Sequence, residues 1–233
     1  MIVGVRGRDD HVLGLPDGVR ACLFDLDGVL TDTASVHRTA WREAFAPRSF
    51  TDDDYNAWVD GKPREAGIRD FLGHLGEDVT DKGVSEIAAR KQALFEQHLK
   101  TDGVTTYDGS RRYLQACRDA GIRRAVVSSS ANTLEVLRIA ELADLIEVRV
   151  DGTSAKEQQL RGKPSPDTFL AAAAQLGLEP KECAVFEDAL AGVEAGRAGQ
   201  FGLVVGVDRV DHADDLRSHG ADVVVQDLAE LCS

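Results

Sequence analysis

The sequence lacks the features that would place a protein in a membrane or in the secretory pathway. None of its apolar runs is long enough to cross a bilayer. Its first 15 residues contain no apolar core followed by a small-residue cleavage site, so we expect no secretory signal. Basic residues are also few, 27 against 40 acidic ones, and the net charge is −13. This charge disfavours binding to nucleic acids and to anionic membranes.

Cysteine is scarce as well. Cys22, Cys117, Cys183 and Cys232 are scattered along the chain, and no two of them form a CxxC pair. This spacing argues against a zinc site. We interpret the four as reduced thiols, mostly facing the core, and we expect a cytoplasmic protein.

The chain has 233 residues, of which 43% are hydrophobic and 29% charged, values typical of a soluble globular protein with one large domain or one domain and an insertion. Short apolar runs that end in polar residues alternate with helical patterns, which predicts an α/β protein with a parallel sheet covered by helices on both faces. Strands are expected within residues 20–27, 123–130, 182–188, 201–208 and 221–227. Helices are expected at 109–120, 131–142, 165–176 and 189–198.

Between the first two strands the pattern changes, because no convincing strand occurs from 34 to 104. Helical periodicity there predicts helices at 34–46, 52–59, 64–72 and 85–99. We predict an all-helical cap at 34–104, inserted into a core formed by 1–33 and 105–233. Such an insertion can act as a lid over a site. The first 19 residues are polar and rich in glycine, and they are expected to form a loosely packed leader.

Chemically useful side chains follow several of the predicted strands. Asp25 and Asp27 come directly after the apolar run 21–24, and a buried carboxylate is costly unless a cation or hydrogen-bond donors pair with it. Ser128 ends the next strand, and Glu187-Asp188 ends another. Ligands of open α/β sheets bind beyond the carboxyl ends of the strands, so these residues are expected to meet there.

This set of residues suits phosphoryl transfer. Asp25, Asp27 and Asp188 offer the hard oxygen ligands that Mg²⁺ takes together with substrate phosphate. Lys163, in the proline turn GKPSPD, and Ser128 can neutralise phosphoryl oxygens. An aspartate can also act as the nucleophile and form a phosphoryl intermediate.

The segments DLDGVLTD, VVSSS, GKPSPD and FEDALAG, in this order, resemble the four motifs of the haloacid dehalogenase superfamily of phosphotransferases. The resemblance implies a Rossmann-like parallel sheet with an inserted cap. It implies that Asp25 is the nucleophile that becomes aspartyl phosphate and that Asp27 is the general acid and base. It also implies Mg²⁺ held by the Asp25 carboxylate, the Asp27 backbone carbonyl and Asp188, with Glu187 close by.

The segments DGVLTDTASVHRTAW and DGKPREAG resemble the cap of the β-phosphoglucomutase-like subfamily, whose reaction interconverts β-glucose 1-phosphate and glucose 6-phosphate. The resemblance implies a small sugar phosphate as the partner. One departure is Ala131, because the subfamily usually carries at this place a lysine that helps to hold the phosphate not being transferred. The implied substrate and phosphate positions are His37, Trp41, Gly61, Arg64, Lys91, Ser128, Ser130, Asn132 and Lys163.

Several of these residues also have simpler interpretations. His37 and Trp41 lie four apart on one helix face, and the simpler interpretation is that they only pack the cap against itself. Lys91 lies on an apolar stripe of its helix, where its side chain either snorkels to solvent or points into the cleft. Arg64 either decorates its helix or grips a phosphate. The acidic residues 52–54 are interpreted as a helix start and a solvated face.

Three functions remain open from the sequence. The first is a Mg²⁺-dependent sugar-phosphate mutase, which His37, Arg64 and Lys91 favour. The second is a phosphatase on the same scaffold, which Ala131 favours. The third is a non-catalytic sugar-phosphate sensor, which retention of Asp25 and its partner residues disfavours. A cap that must open and close suits a monomer.

Overall fold

The computed structural model of the protein describes residues 12–232 and has a parallel β-sheet at its centre. All of its neighbouring strands are parallel. The six strands are β1 (Ala21–Phe24), β2 (Arg123–Val127), β3 (Val148–Val150), β4 (Cys183–Glu187), β5 (Leu203–Val207) and β6 (Val223–Val225).

The order of the strands defines where a ligand can bind. It is β3-β2-β1-β4-β5-β6, so the chain builds one half outward from β1 and then returns to build the other half from β4. Phe24 at the end of β1 pairs with Val126 on one side and with Phe186 on the other. The point at which the order reverses, between β1 and β4, is the usual ligand crevice of such sheets.

The predicted α/β class and parallel sheet are confirmed, and each of the five predicted strands is present. The sequence did not predict β3. This strand is only three residues long and lies at the sheet edge, where Val148 and Arg149 are only half-buried. It therefore lacks the continuous apolar run by which the central strands were found.

Helices cover both faces of the sheet. Alternate residues of β1 face opposite sides, with Cys22 and Phe24 in one apolar cluster and Ala21 and Leu23 in another. The first cluster includes Tyr113 of α5, and the second includes helix α8. The helices from residue 108 onward are α5 (Asp108–Asp119), α6 (Thr133–Ile139), α7 (Gly152–Glu157), α8 (Asp167–Gln175), α9 (Leu190–Ala198) and α10 (Ala213–His219). Short 3₁₀ turns lie at Ala143–Leu145, Pro180–Glu182 and Leu228–Leu231. Before them come α1 (Ala34–Phe45), α2 (Asp52–Asp54), a π-helical turn (Tyr55–Val59), α3 (Arg64–His74) and α4 (Asp81–Asp102).

The chain from 34 to 102, here called the helical segment, contains only helices and loops and lies between β1 and β2 in sequence. It has an apolar cluster of its own, which includes Trp41, Phe45 and Phe71. The sequence predicted one helix over 52–59, but only its first turn is α-helical. Thr51 and Asp54 cap that turn reciprocally, which confirms the acidic residues as a helix start. The role of the helical segment as a cap domain over the sheet stays a prediction.

The loosely packed leader predicted for residues 1–19 is wrong where the structure describes it. Leu13, Leu15 and Val19 are buried in the main apolar cluster, and the Tyr113 hydroxyl donates a hydrogen bond to the Leu13 carbonyl oxygen at 2.8 Å. These apolar residues are separated by glycines and a proline, so the composition of the segment did not predict their burial. Residues 1–11 of the predicted leader lie outside the described residues.

All four cysteines are free thiols. Cys22, Cys117 and Cys183 are buried and Cys232 is exposed, as the interpretation of mostly core-facing thiols requires. Within residues 12–232, no helix combines the length and the apolar character needed to span a membrane.

Candidate active site

A cavity lies at the carboxyl end of the sheet, between the ends of β1, β2 and β4 and the helical segment. Its walls include Asp25, Asp27 and Asp188 from the core and Arg64 and Lys91 from the helical segment. The strand-end residues therefore converge as the sequence predicted. The remaining lining residues are His37, Trp41, Tyr55, Val59, Asp60, Gly61, Lys62, Ser128, Ser129, Ser130 and Ala189.

Asp25 is buried directly beyond β1. Its backbone N–H donates to the Phe186 carbonyl oxygen at 2.9 Å, which extends the pairing of β1 with β4 by one residue. Its carboxylate accepts a hydrogen bond from the Asp27 N–H at 2.9 Å and contacts the Lys163 ammonium group. Burial raises the pKa of Asp25, and Lys163 opposes that rise. The backbone thus holds this carboxylate rigidly at the mouth of the sheet.

Lys163 is a buried cation beneath the site, with a side chain that is 1% exposed. Its ammonium group contacts the carboxylates of Asp25 and Glu187 and donates to the Val127 carbonyl oxygen at 3.1 Å. Burial alone would lower the pKa of Lys163, but the two carboxylates raise it above its usual value. The lysine is therefore held as a cation between two carboxyl groups, and burial raises the pKa of one of them, Glu187, to about 8.

The Asp27 carboxylate points away from Lys163 and toward the helical segment. It accepts a hydrogen bond from the Thr33 hydroxyl, and its Oδ1 lies 3.4 Å from His37 Nε2. The Ser128 hydroxyl donates to Oδ2 at 3.4 Å. Burial alone would raise the pKa of Asp27, but His37, Thr33 and Lys91 together lower it to about 2. Asp27 is therefore an ionised carboxylate whose two oxygens both accept hydrogen bonds.

His37 and Lys91 form a chain that leads to Asp27. The Lys91 ammonium group contacts His37 Nδ1, while His37 Nε2 faces Asp27. Lys91 is 2% exposed and lies 4.5 Å from the centre of the Phe95 ring. Of the two interpretations of Lys91, the structure supports the cleft and excludes snorkelling. Burial lowers the pKa of both Lys91 and His37, and their mutual proximity adds to this for His37.

Trp41 packs within the helical segment and also borders the cavity. It stacks on Phe45 at 5.2 Å within the apolar cluster of the helical segment. It also lines the cavity and lies beneath the Lys91 ammonium group, 5.3 Å from it. Packing thus holds the ring in place as a wall of the site.

The loop after β2 is ordered by its own serines. Ser128 Oγ accepts a hydrogen bond from the Ser130 N–H at 3.0 Å, and Ser130 Oγ accepts one from the Asn132 N–H at 3.2 Å. Ser129 donates to the Gly61 carbonyl oxygen at 2.7 Å, which joins this loop to the helical segment. Gly61 has φ +67°, and a Cβ atom there would lie 2.9 Å from the Ala189 Cβ. This close approach requires a glycine.

Asn132 is held by a residue that the sequence did not single out. Gln92 of α4 donates to Asn132 Oδ1 at 2.7 Å and accepts from Asn132 Nδ2 at 3.2 Å. Arg64 donates to the same Gln92 oxygen. Ala131, next to Asn132, is exposed. The Arg64 guanidinium group is therefore linked to the loop after β2 through Gln92. This link does not involve position 131, where the subfamily usually has a lysine.

The acidic residues at the ends of β1 and β4 form a candidate metal site. Carboxylate oxygens of Asp25, Glu187 and Asp188 all lie within 4.8 Å of one another. Burial and the surrounding carboxylates, Asp60 foremost, raise the pKa of Asp188 well above its usual value. A Cβ atom at Gly28, which has φ +93°, would lie 1.8 Å from Asp188 Oδ2. These oxygens fit a divalent cation such as Mg²⁺, whereas the Asp27 side chain is directed elsewhere.

Sequence reasoning also missed Asp60. This carboxylate lines the cavity from the helical segment, and its pKa is raised to about 6, chiefly by burial. In the sequence, Gln92 is distinguished only by its position next to Lys91, and Asp60 only by its position next to Gly61. Lys91 and Gly61 were chosen because they match the cap of the subfamily, and that match assigns no role to Gln92 or Asp60.

Known proteins were compared with this chain. A family model described as haloacid dehalogenase-like hydrolase matches residues 19–200. A β-phosphoglucomutase of Mycobacterium bovis is 49% identical over 97% of this chain and 95% of its own length. The hexitol phosphatase A of Escherichia coli is 32% identical over 90% of this chain and 91% of its own length.

A crystal structure of β-phosphoglucomutase from Clostridium difficile has the same fold, with a TM-score of 0.79 and 24% identity over 91% of this chain and 93% of that one. The chain belongs to the haloacid dehalogenase-like hydrolase family, in its β-phosphoglucomutase-like subfamily. It is an enzyme that carries out phosphoryl transfer, so the non-catalytic sensor is set aside.

Proposed function

We propose that the protein is a Mg²⁺-dependent mutase that converts β-glucose 1-phosphate into glucose 6-phosphate through a phosphorylated Asp25. The observation that carries the proposal is that Asp25, supported by Lys163, and Arg64 of the helical segment border the same cavity. A mutase needs one place for the phosphoryl group in transfer and a second for the phosphate that stays on the sugar. The relative that is 49% identical over nearly its whole length bears the same activity in its name.

The first half of the reaction uses Asp25 and Asp27. A free hydroxyl of the sugar phosphate attacks the phosphorus carried by Asp25, and the bond between that phosphorus and the aspartate oxygen breaks. Asp27 accepts the proton of the hydroxyl, for which its ionised state suits it. The product of this half is a sugar bisphosphate and a free Asp25 carboxylate.

The second half runs in the opposite direction on the other phosphate. After the bisphosphate has turned over in the cavity, the Asp25 carboxylate attacks its other phosphorus. Asp27 returns the proton to the sugar oxygen that leaves. Lys163, which contacts the Asp25 carboxylate, and Ser128, which donates to the neighbouring Asp27 carboxylate, stabilise the charge on the phosphoryl oxygens in both halves.

The cation would be held by the Asp25 carboxylate, the Asp27 backbone carbonyl and Asp188, with Glu187 close by. When bound, Mg²⁺ supplies positive charge that offsets the charge of the phosphoryl group and of the clustered carboxylates. His37, supported by Lys91, fixes the orientation of the Asp27 side chain. The sugar and its second phosphate are surrounded by Gly61, Arg64, Ser130 and Asn132. Trp41 forms one wall of this space.

The helical segment acts in this proposal as a cap that closes over the substrate. Its closure would exclude water, which competes with the sugar hydroxyl for the phosphoryl group. The contacts that join it to the core are direct, from Ser129 to Gly61 and from Gln92 to Asn132. A monomer in the cytoplasm, without nucleic-acid or membrane partners, stays a prediction.

A phosphatase acting on a small sugar phosphate is the second candidate. Ala131 favours it, because no lysine in that loop holds the second phosphate. A relative named hexitol phosphatase A covers 90% of this chain. In this case water replaces the sugar hydroxyl as acceptor of the phosphoryl group.

The proposal is tested by trapping the nucleophile and by comparing the products. Wild-type protein with Mg²⁺ and fluoride is expected to form a stable fluoride complex that mimics phosphorylated Asp25, seen by fluorine NMR. Asp25→Asn is expected to form none and to lose turnover. The matched control is Asp17→Asn, an exposed aspartate, which should behave as wild type. Isomer formation exceeding phosphate release supports the mutase, whereas turnover by Asp25→Asn contradicts both candidates.

A further inference from the structure

Asp60 brings a further carboxylate to the metal-binding end of the cavity from the opposite side. It follows the π-helical turn Tyr55–Val59, and its N–H donates to the Tyr55 carbonyl oxygen at 3.0 Å. The Tyr55 side chain, itself buried, is a hydrogen-bonding neighbour of the Asp60 carboxylate. Asp60 lines the cavity together with Asp25 and Asp188, which follow β1 and β4.

Asp188 is the core carboxylate that faces it. Asp188 is only 9% exposed, and it lines the same cavity as Asp60. Within residues 12–232, no hydrogen bond or ion pair reaches the Asp188 carboxylate.

These carboxylates repel one another unless a cation lies among them. Lys163 is already in contact with Asp25 and Glu187. A buried carboxylate without a partner is costly, so Asp188 is favourably placed only when positive charge is bound in the cavity that Asp60 and Asp188 both line.

We propose that Asp60 is an additional residue of the metal site, which binds from the helical segment to water molecules on the cation held by Asp25 and Asp188. Mg²⁺ keeps several of its waters when bound to a protein, and these donate hydrogen bonds to carboxylates around it. Metal binding then draws the helical segment onto the core. This inference rests on the metal site of the proposed function and does not depend on which sugar phosphate is the substrate.

Binding and closure are coupled in both directions. If closing the helical segment strengthens cation binding, cation binding strengthens closing by the same factor. Removing the Asp60 charge must therefore weaken both. The loss of an outer ligand of a metal usually lowers affinity by about tenfold or more, so we expect about a tenfold weaker Mg²⁺ complex.

The experiment measures Mg²⁺ affinity by titration calorimetry and the hydrogen exchange of residues 55–64 with and without Mg²⁺. Wild-type protein is expected to bind Mg²⁺ and to exchange more slowly in 55–64 when the metal is present. In Asp60→Asn the affinity should fall about tenfold and the slowing should be lost. Asp53→Asn, which removes an exposed charge from the same segment, should match wild type in both measurements.

The outcomes separate this inference from the proposed function. Asp188→Asn serves as the reference that removes a direct ligand and should abolish Mg²⁺ binding. If Asp60→Asn matches wild type while Asp188→Asn binds no metal, the role of Asp60 is wrong and the metal site stands. If wild type binds no Mg²⁺, both are wrong. Should Asp60→Asn not fold, Asp60→Ser carries the same test because it removes the same charge.

Discussion

The ammonium group of Lys163 contacts the Asp25 and Glu187 carboxylates at once, and all three side chains are buried. One lysine thus serves two buried carboxyl groups, and burial raises the pKa of both, that of Glu187 to about 8. Asp188 adds a further carboxyl group, whose oxygen lies within 4.8 Å of theirs. The sheet end is therefore left short of positive charge, which a divalent cation can supply when it binds there together with a phosphoryl group.

Lys163→Met is expected to reduce stability as well as activity. It leaves the carboxylates of Asp25 and Glu187 buried without a counter-charge, and breaking a buried pair in this way costs about 3–5 kcal/mol. Urea denaturation at neutral pH in EDTA measures the loss. Lys156→Met removes an exposed lysine and should change the free energy of unfolding by about 0.5 kcal/mol or less. Equal losses in the two variants would show that the Lys163 contacts do not stabilise the fold.

Asp27→Asn is expected to lower kcat by about 10²–10⁴, the usual contribution of a general acid or base. The amide cannot accept the proton of the attacking hydroxyl, while Asp25 remains available as nucleophile. Steady-state kinetics measures the loss, and the fluoride complex on Asp25 should persist. Turnover close to that of wild type would remove Asp27 from the proposed mechanism.

Gly28→Ala is expected to weaken Mg²⁺ binding by about tenfold or more, as displacement of a metal ligand does. The added Cβ atom would lie 1.8 Å from Asp188 Oδ2, and the backbone there has φ +93°. Titration calorimetry measures the affinity. Gly73→Ala is the control, because a Cβ atom there meets nothing within 4 Å. An unchanged affinity in Gly28→Ala would exclude Asp188 as a ligand.

The stability of the metal-free protein should depend on pH through Asp60. Burial raises its pKa from 3.8 to about 6, with Asp25 and Asp27 adding to the rise and Tyr55 and Arg38 opposing it. The folded protein then holds this proton more tightly than the unfolded chain. Proton binding to Asp60 therefore stabilises the folded protein fully below about pH 4, and this stabilisation is lost as the pH rises through about 6.

Asp60→Asn should therefore be more stable than wild type at pH 7 in EDTA, by about 1–2 kcal/mol. Two pKa units correspond to about 3 kcal/mol, and the partial exposure of the side chain reduces this. The free energies of unfolding of wild type and Asp60→Asn should become equal near pH 4. Denaturation in urea at both pH values measures the difference, and equal stability at pH 7 would contradict the account of Asp60.

Ala131→Lys is expected to tighten the binding of glucose 1,6-bisphosphate by about fivefold, since one exposed ion pair contributes about 1 kcal/mol. Position 131 is exposed and adjoins Asn132, which Gln92 links to Arg64. Binding to Asp25→Asn, which cannot turn the ligand over, measures the affinity. Ala174→Lys, on α8 away from the cavity, should have no effect. A substitution at 131 that leaves the affinity unchanged would mean that the second phosphate lies elsewhere.

The sheet and the strand-end residues could be predicted because each follows from local sequence. The apolar runs before Asp25 and Ser128 read as buried strands, and parallel strands bring their carboxyl ends to one edge. Lys91 was recognisable because it interrupts an apolar stripe of its helix. The short edge strand β3 was missed, since it is half-buried and has no such run.

The residues that were missed act across the boundary between the helical segment and the core. Gln92 contacts Asn132, 40 residues away in sequence, and Asp60 faces the carboxylates of β1 and β4. No periodicity in either segment shows which side chains will meet when two segments pack. Leu13 and Leu15 were misjudged for the same reason, because their burial depends on α5 and on the core beneath it.

The proposed mutase passes the phosphoryl group of Asp25 to a sugar and not to water. Phosphorus NMR of the purified protein with Mg²⁺, β-glucose 1-phosphate and a trace of glucose 1,6-bisphosphate distinguishes the two acceptors. Transfer to the sugar is expected to convert the substrate to glucose 6-phosphate with little free phosphate. Inorganic phosphate as the main product would contradict it and would make the protein a phosphatase.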